Sequence, residues 1–167
     1  MDKSTKAIIE TAKKTPYFHL YDRDTNELYM ERYWLKKYAE GEDTSIRIHK
    51  IMRSDDARAL HDHPWASTSI ILDGGYWEIQ PAHEDQDPAF DNEYFTRVWR
   101  KAGDVTHRKA HSRHRLEVPE GGHAWTMFIM GKWEKDWGFY DADEKWVYWR
   151  DYLQDFTTST STDKAMA

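Results

Sequence analysis

"LHDHPWASTSIILDGGYW", residues 60–77, sets His61 and His63 two apart, adds a proline and a tryptophan, and runs through β-branched residues to a Gly-Gly pair. Side chains at i and i+2 share a face on a strand and point to nearly opposite sides of a helix. The stretch therefore reads as a strand. His61, His63, Trp65, Ser67, Ser69 and Ile71 fall on one face, and Asp62, Ala66, Thr68 and Ile70 on the other. The first face carries two imidazoles, then small hydroxyls, then an aliphatic, the pattern of a polar pocket at one end of a packed barrel. "DGG", residues 73–75, lies between "ASTSIIL" and "YWEIQ" and reads as a hairpin turn.

The same alternation extends in both directions. "YFHLY" (17–21) and "ELYMERYWL" (27–35) flank the polar turn "DRDTN". "SIRIHKIM" (45–52) alternates. Further strands are expected at 94–101, within 105–118, at 124–130, around "WGFY" (137–140) and around "KWVYW" (145–149). About ten short, evenly spaced strands signal a β-sandwich or barrel. One helix is expected over 4–14, capped by Ser4, with Ala7, Ile8 and Ala12 as its weak apolar face and Pro16 as its stop. A further turn is expected near "RDYLQDF" (150–156). The acidic stretch 83–93 reads as a solvated loop. Residues 1–156 are expected to form one domain, and "TTSTSTDKAMA" (157–167) a disordered tail.

Composition narrows the function classes. The chain has 167 residues and no cysteine, so a disulfide framework and thiolate metal ligands are excluded, and a cytoplasmic setting is expected. No run of about 18 apolar residues predicts a membrane span, and the N-terminus lacks the apolar core of a signal peptide. A net charge of −6 speaks against a generic nucleic-acid binder, because the phosphate backbone rewards basic surfaces. Nine tryptophans and 15% aromatics accompany few aliphatics. Rings are therefore expected to fill a thin β-structure or to line a pocket.

Nine histidines need sorting. His19 and His83 lack neighbours of matching chemistry and read as structural or surface residues. Two imidazoles at 61 and 63 need a third ligand to hold a metal, and "HRKAHSRHRLEV" offers His107, His111 and His114. His114 opens an alternation with Leu116 and Val118 and is expected to point inward with them, leaving Arg115 and Glu117 outside. A charged surface strand with incidental histidines is the plain alternative.

"HDHPWASTSIILDGG" and "GDVTHRKAHSRH" resemble the two motifs of the cupin superfamily. The first resembles the H-x-H pair with its closing glycine, and the second a glycine (Gly103) followed eleven residues later by a histidine (His114). The resemblance covers residues 45–130. A broader pattern, from "YMERYWL" through "HDHPW", "GGYWE", "HRL" and "WGFY", is similar to small cupin-like proteins of phage and bacterial genomes. The resemblance implies an all-β jelly-roll β-barrel of cupin type with a short N-terminal helix, and edge strands that pair across a homodimer. The chain departs from the pattern where the first motif carries a glutamate, since spacing puts Ser67 or Thr68 there. The motif's leading glycine is absent, and Lys109 and His111 replace the proline and glycine usual in the second. The implied metal set is therefore His61, His63 and His114, similar to that of thiol dioxygenases, although the cysteine some of those carry near the metal is missing. The implied cofactor is one divalent ion, iron first, with nickel, manganese or zinc as alternatives. The implied function is an iron-dependent oxygenase acting on a small polar substrate. A non-redox isomerase or lyase, and a metal-stabilised binding protein without turnover, are the alternatives.

The remaining pocket residues follow from parity. Arg47, His49 and Ile51 share a face in 45–52, opposite Ile46, Ile48 and Lys50. If the first face looks inward, Arg47 binds a substrate carboxylate or phosphate, with His49 beside it. If Ile46 and Ile48 look inward, Arg47 is on the surface. Tyr76 and Glu78 share a face and are the candidates for moving protons. Trp65 walls the pocket or belongs to the core. Ser67 is expected to face the metal cavity without ligating. Arg108, Lys109, Arg113 and Arg115 form a basic cluster that pairs with the acidic loop, meets an anionic substrate or is simply solvated.

Overall fold

The computed structural model describes residues 1–22, 25–55, 59–82 and 95–153. The expected acidic loop and the tail 157–167 lie outside these residues. One helix precedes ten strands: α1 (Lys3–Lys13), β1 (Leu20–Tyr21), β2 (Leu28–Lys36), β3 (Ser45–Ile51), β4 (Ser67–Pro81), β5 (Phe95–Lys101), β6 (Val105–Arg108), β7 (Arg115–Glu117), β8 (Ala124–Met130), β9 (Gly138–Tyr140) and β10 (Trp146–Tyr148). Residues 149–153 are helical where a turn is expected. Described residues include no helix long and apolar enough to cross a membrane.

The architecture is all-β and turns on β4. Its first half pairs antiparallel with β8 on one side and β6 on the other, and its second half with β5 and β7. The ladder runs β1-β2-β3-β8-β4-β5, and β9 and β10 form a separate hairpin. The hairpin expected at "DGG" does not form. Asp73, Gly74 and Gly75 lie inside the 15-residue β4, at a register shift between Ile71 and Asp73. The shift is a bulge that bends the strand from one half of the sheet to the other. Glycine is required there: Gly74 has φ +71°, and a Cβ on it would sit 2.0 Å from the His123 carbonyl oxygen.

Two cores result, one on each side of the sheet. Ile51, Ile71, Tyr76, Leu116 and Ala124 pack inside the fold. Ile48 and Trp125 pack outside, under Ile9 and Ala12 of α1. β3 is covered on both faces, so the alternative that a buried Ile48 leaves Arg47 on the surface does not hold: Ile48 is buried under α1, and Arg47 lies on the opposite face with His49 and Ile51. The helix is capped by Asp2 rather than Ser4, with the Asp2 carboxylate accepting from Thr5 N at 2.8 Å. Its buried apolar residues are Ile9 and Ala12, whereas Ala7 is exposed.

Candidate metal centre

His61 and His63 do not lie in β4. Pro64 and a bend separate them from Ser67, where the strand begins. Their placement comes from elsewhere. His61 and His114 form an isolated antiparallel bridge, exchanging backbone hydrogen bonds of 2.8 and 2.9 Å. His63 N donates to Ala110 O at 3.2 Å. Asp62, between the two imidazoles, turns to the opposite side and is buried. Its carboxylate accepts from Gly138 N at 2.9 Å, from Trp146 Nε1 at 3.1 Å and from Lys135 Nζ, tying the histidine segment to the β9–β10 hairpin.

The ligand atoms of His61, His63 and His114 all lie within 4.8 Å of one another. The Nε2 atoms of His63 and His114 stand 3.0 Å apart. Two imidazole nitrogens, each about 2.1 Å from a shared ion and roughly at right angles about it, are separated by about 3 Å. Burial pulls the His63 pKa well below its ordinary value, with His61, His114 and Arg108 adding to the effect. Burial and Arg108 lower that of His114 to about 4, against the opposing pull of Glu78. Both rings are thus held neutral, the form that ligates metals.

Glu78 lies directly behind His114. Its side chain is fully buried, and Oε1 accepts from His114 Nδ1 at 2.7 Å and from Arg108 Nε at 2.8 Å, while Oε2 accepts from Arg100 Nε at 2.8 Å. Burial alone would raise the Glu78 pKa, but the His114 hydrogen bond, Arg108 and Arg100 overcome it and hold the carboxyl far below its usual range. A carboxylate so held keeps the proton on His114 Nδ1 and aims the Nε2 lone pair at the cluster, the carboxylate–histidine arrangement of metal sites. A proton-moving role for Glu78 meets the physical obstacle that neither of its oxygens is free. On the other side, Asp55 Oδ2 lies 3.8 Å from His61 Nδ1 and accepts from Leu116 N at 2.7 Å.

Other expected residues are placed as follows. Tyr76 is 2% exposed in the inner core, its hydroxyl pKa raised by burial and moderated by Arg108 and a hydrogen bond with Ser69. Ser67 is buried, and its Oγ has no partner. His49 packs against Phe128 at 5.3 Å between ring centroids, and Phe128 against His63 at 5.8 Å. Burial, then Arg47 and Arg32, lower the His49 pKa to about 3. Trp65 lines a rim cleft of about 290 Å³ with Tyr38, Glu42, Asp43, Lys132 and Trp133. That cleft contains none of the three clustered histidines. The expected basic cluster is dispersed by pairing: Arg108 turns inward to Glu78, Arg113 to Glu144 and Arg115 to Glu117. His107 is on the surface, with Nδ1 2.8 Å from Thr68 Oγ1.

Sequence reasoning missed Asp62, Asp55, Arg100 and Arg108 as supports of this centre. Asp62 was legible in part, since strand parity puts it opposite the histidines. The others reach the centre from separate segments of the chain, Arg100 from β5 and Arg108 from β6, for which the sequence carries no local sign.

No family model matches the chain, and no curated protein does. Among solved structures it is similar to a cupin 2 conserved barrel domain protein from Rhodopseudomonas palustris, with TM-score 0.53 and 12% identity over 78% of each chain. The chain shares the all-β barrel fold of these cupin structures. It is also similar to the polyketide cyclase RemF from Streptomyces resistomycificus, with TM-score 0.53 and 11% identity over 75% of this chain and 78% of that one. A third similar structure is Fe(II) HppE in complex with substrate, with TM-score 0.53 and 11% identity over 71% of this chain. The chain spans 57% of the length of that HppE chain. Identities this low speak to the fold alone.

Proposed function

We propose that this protein is a metal-dependent enzyme, an iron-dependent oxygenase of a small polar substrate, with His61, His63 and His114 as the metal ligands. The observation that carries the reading is the convergence of three imidazoles, with His114 oriented by Glu78 and no carboxylate in the cluster among the described residues. Three neutral ligands leave positions open for exogenous molecules. A bound ion would supply Lewis acidity and, if iron, one-electron chemistry with oxygen. The chain's own residues then have distinct tasks. Glu78 holds the Nδ1 proton of His114, Asp55 faces His61, and Phe128 with the inner core keeps bulk water from the imidazoles. His49, Arg47, Trp65 and Ser67 bind substrate, and Tyr76 is the group with a proton to give.

Fe(II) HppE has been solved with the alternative substrate (S)-1-HPP, which supports iron as first choice. The second reading, a non-redox reaction with the ion as Lewis acid, stands beside it, since the similar fold of RemF belongs to a polyketide cyclase. Purified without a histidine tag, the protein is expected to hold about one equivalent of divalent metal, and a His61→Ala/His63→Ala variant none. Equal metal content in both would overturn the site. Oxygen consumption by the iron-loaded protein across a substrate panel separates the readings. Turnover under nitrogen selects the second, and ligand binding without turnover refutes both as enzymes.

A further inference from the structure

The wholly or partly buried arginines of this protein divide into two groups. Arg108, Arg100 and Arg113 each meet a carboxylate, on Glu78 or Glu144. Arg47 and Arg32 meet none among the described residues. Antiparallel register sets Trp34 opposite Arg47 and Arg32 opposite His49, all on the inner face of β2 and β3. The Arg47 guanidinium carbon lies 4.4 Å from the ring centroid of Tyr17, 4.4 Å from that of Trp34 and 6.0 Å from that of Trp65. Its Nε is fully buried without a hydrogen-bond partner. Arg32 stands over the same Tyr17 ring at 4.9 Å, and its Nε donates to Phe18 O at 2.6 Å. Two cations thus share one ring with no acid between them.

Aromatic faces stabilise a guanidinium through its π-plane but leave the in-plane N–H groups unsatisfied. Those donors form a planar fork that fits an oxyanion bidentately. Partial burial of two like charges is costly without a counter-charge, and the fold supplies carboxylates to its other buried arginines. No described residue supplies that counter-charge, which leaves the place to a bound oxyanion. The direction toward the metal centre is also marked. Arg47 is paired across the ladder with Phe128, whose ring touches both His49 and His63. His49 Nε2 and Trp65 Nε1 are buried without partners beside this path.

We infer that Arg47, with Arg32 beside it, is the anion subsite of the substrate. A carboxylate or phospho group binds edge-on to Arg47 within the Tyr17–Trp34–Trp65 box, and the rest of the molecule extends past Phe128 and His49 toward His63. The substrate is thereby a small organic anion with its reacting part away from the charge. This rests on the proposed metal centre for its function, but anion binding itself does not require the metal.

The test follows the side-chain ¹H–¹⁵N signal of Arg47 Nε, assigned by its loss in Arg47→Lys. The probes are inorganic phosphate, propionate and the neutral propionamide, at constant ionic strength. A saturable shift with one or both anions and none with propionamide is expected, and the responding anion tells a phospho group from a carboxylate. Calorimetric affinity for that anion is expected to fall roughly ten- to a hundredfold in Arg47→Gln, the range for a lost charge-assisted hydrogen bond. Arg47→Lys keeps the charge without the fork and is expected to weaken binding too, which covers a failure of Arg47→Gln to fold. No saturable shift with either anion, an equal shift with propionamide, or unchanged affinity in Arg47→Lys overturns the inference. In His61→Ala/His63→Ala the anion is expected to bind still. Metal retained in this variant overturns the metal centre alone, whereas absence of saturable anion binding to the unaltered protein overturns the subsite alone.

Discussion

Both oxygens of Glu78 are taken, one by His114 and Arg108 and the other by Arg100. Glu78→Gln keeps the shape and removes the charge. Metal affinity is expected to drop roughly ten- to a hundredfold, the usual cost of losing an outer partner of a ligating histidine. Stability is expected to fall by about 3 kcal/mol, because Arg108 is left buried without its counter-ion. Competition with a chromophoric chelator and a urea melt measure the two effects. Unchanged affinity would mean that Glu78 does not position His114. The parity of "YWEIQ" puts Glu78 on the inner face with Tyr76, so its location was legible. Its task was not, because His114, Arg100 and Arg108 reach it from β5, β6 and the segment before β7, 22 to 36 residues along the chain.

At the scale of elements, the bend in β4 and the anchor beneath the histidines make separate predictions. Gly74 and Gly103 both have positive φ, at +71° and +93°, but a Cβ at Gly103 meets nothing within 4 Å. Gly103→Ala is expected to cost about 1 kcal/mol from backbone strain alone. Gly74→Ala adds a collision with the His123 carbonyl and is expected to cost several times more or to prevent folding; equal urea midpoints for the two variants would refute the bend as described. Asp62 joins the histidine segment to the β9–β10 hairpin through three hydrogen bonds. Asp62→Ala leaves Gly138 N and Lys135 without that partner and is expected to cost roughly 2–3 kcal/mol. Amide exchange at Gly138 should accelerate in step, and an unchanged rate would show that Asp62 is not the anchor. The helix contributes through Ile9, 3% exposed against Ile48 and Trp125. Ile9→Ala is expected to cost about 2–4 kcal/mol in a denaturant melt, whereas Ala7→Ser, on the exposed face, should change little.

For the whole molecule, the proposed metal centre joins distant parts of the chain, with two of its histidines before β4 and the third just before β7. Metal bound to the native state alone stabilises it, by about 2.7 kcal/mol at one hundred times the dissociation constant. In a chain of this size that corresponds to a rise in Tm of roughly 5–10 °C. Chelation should remove the increment and re-addition restore it, while His61→Ala/His63→Ala should melt at one temperature with and without chelator. A chelator effect that persists in the variant would place the stabilising ion elsewhere.

Local periodicity by itself indicated most of the strands, the shared face of Ser67, Ser69 and Ile71, and the inward turn of His114, whereas the three-histidine set came from the resemblance to the cupin motifs. Each of the periodic features is a repeat within one segment, and a two-residue period is written in consecutive side chains. Only the tertiary structure decided matters in which a second segment takes part. Gly74-Gly75 is a bend because His123 and Arg100 pass against it, where the dipeptide alone reads equally as a turn. Arg47 faces inward although Ile48 is also buried, because α1 covers the other side of β3. Glu78 became an orienting carboxylate and Arg108 its counter-ion because β4 carries different neighbours along its two halves. Contacts of this kind depend on which strands meet, and that depends on the closure of the whole fold rather than on any stretch of it.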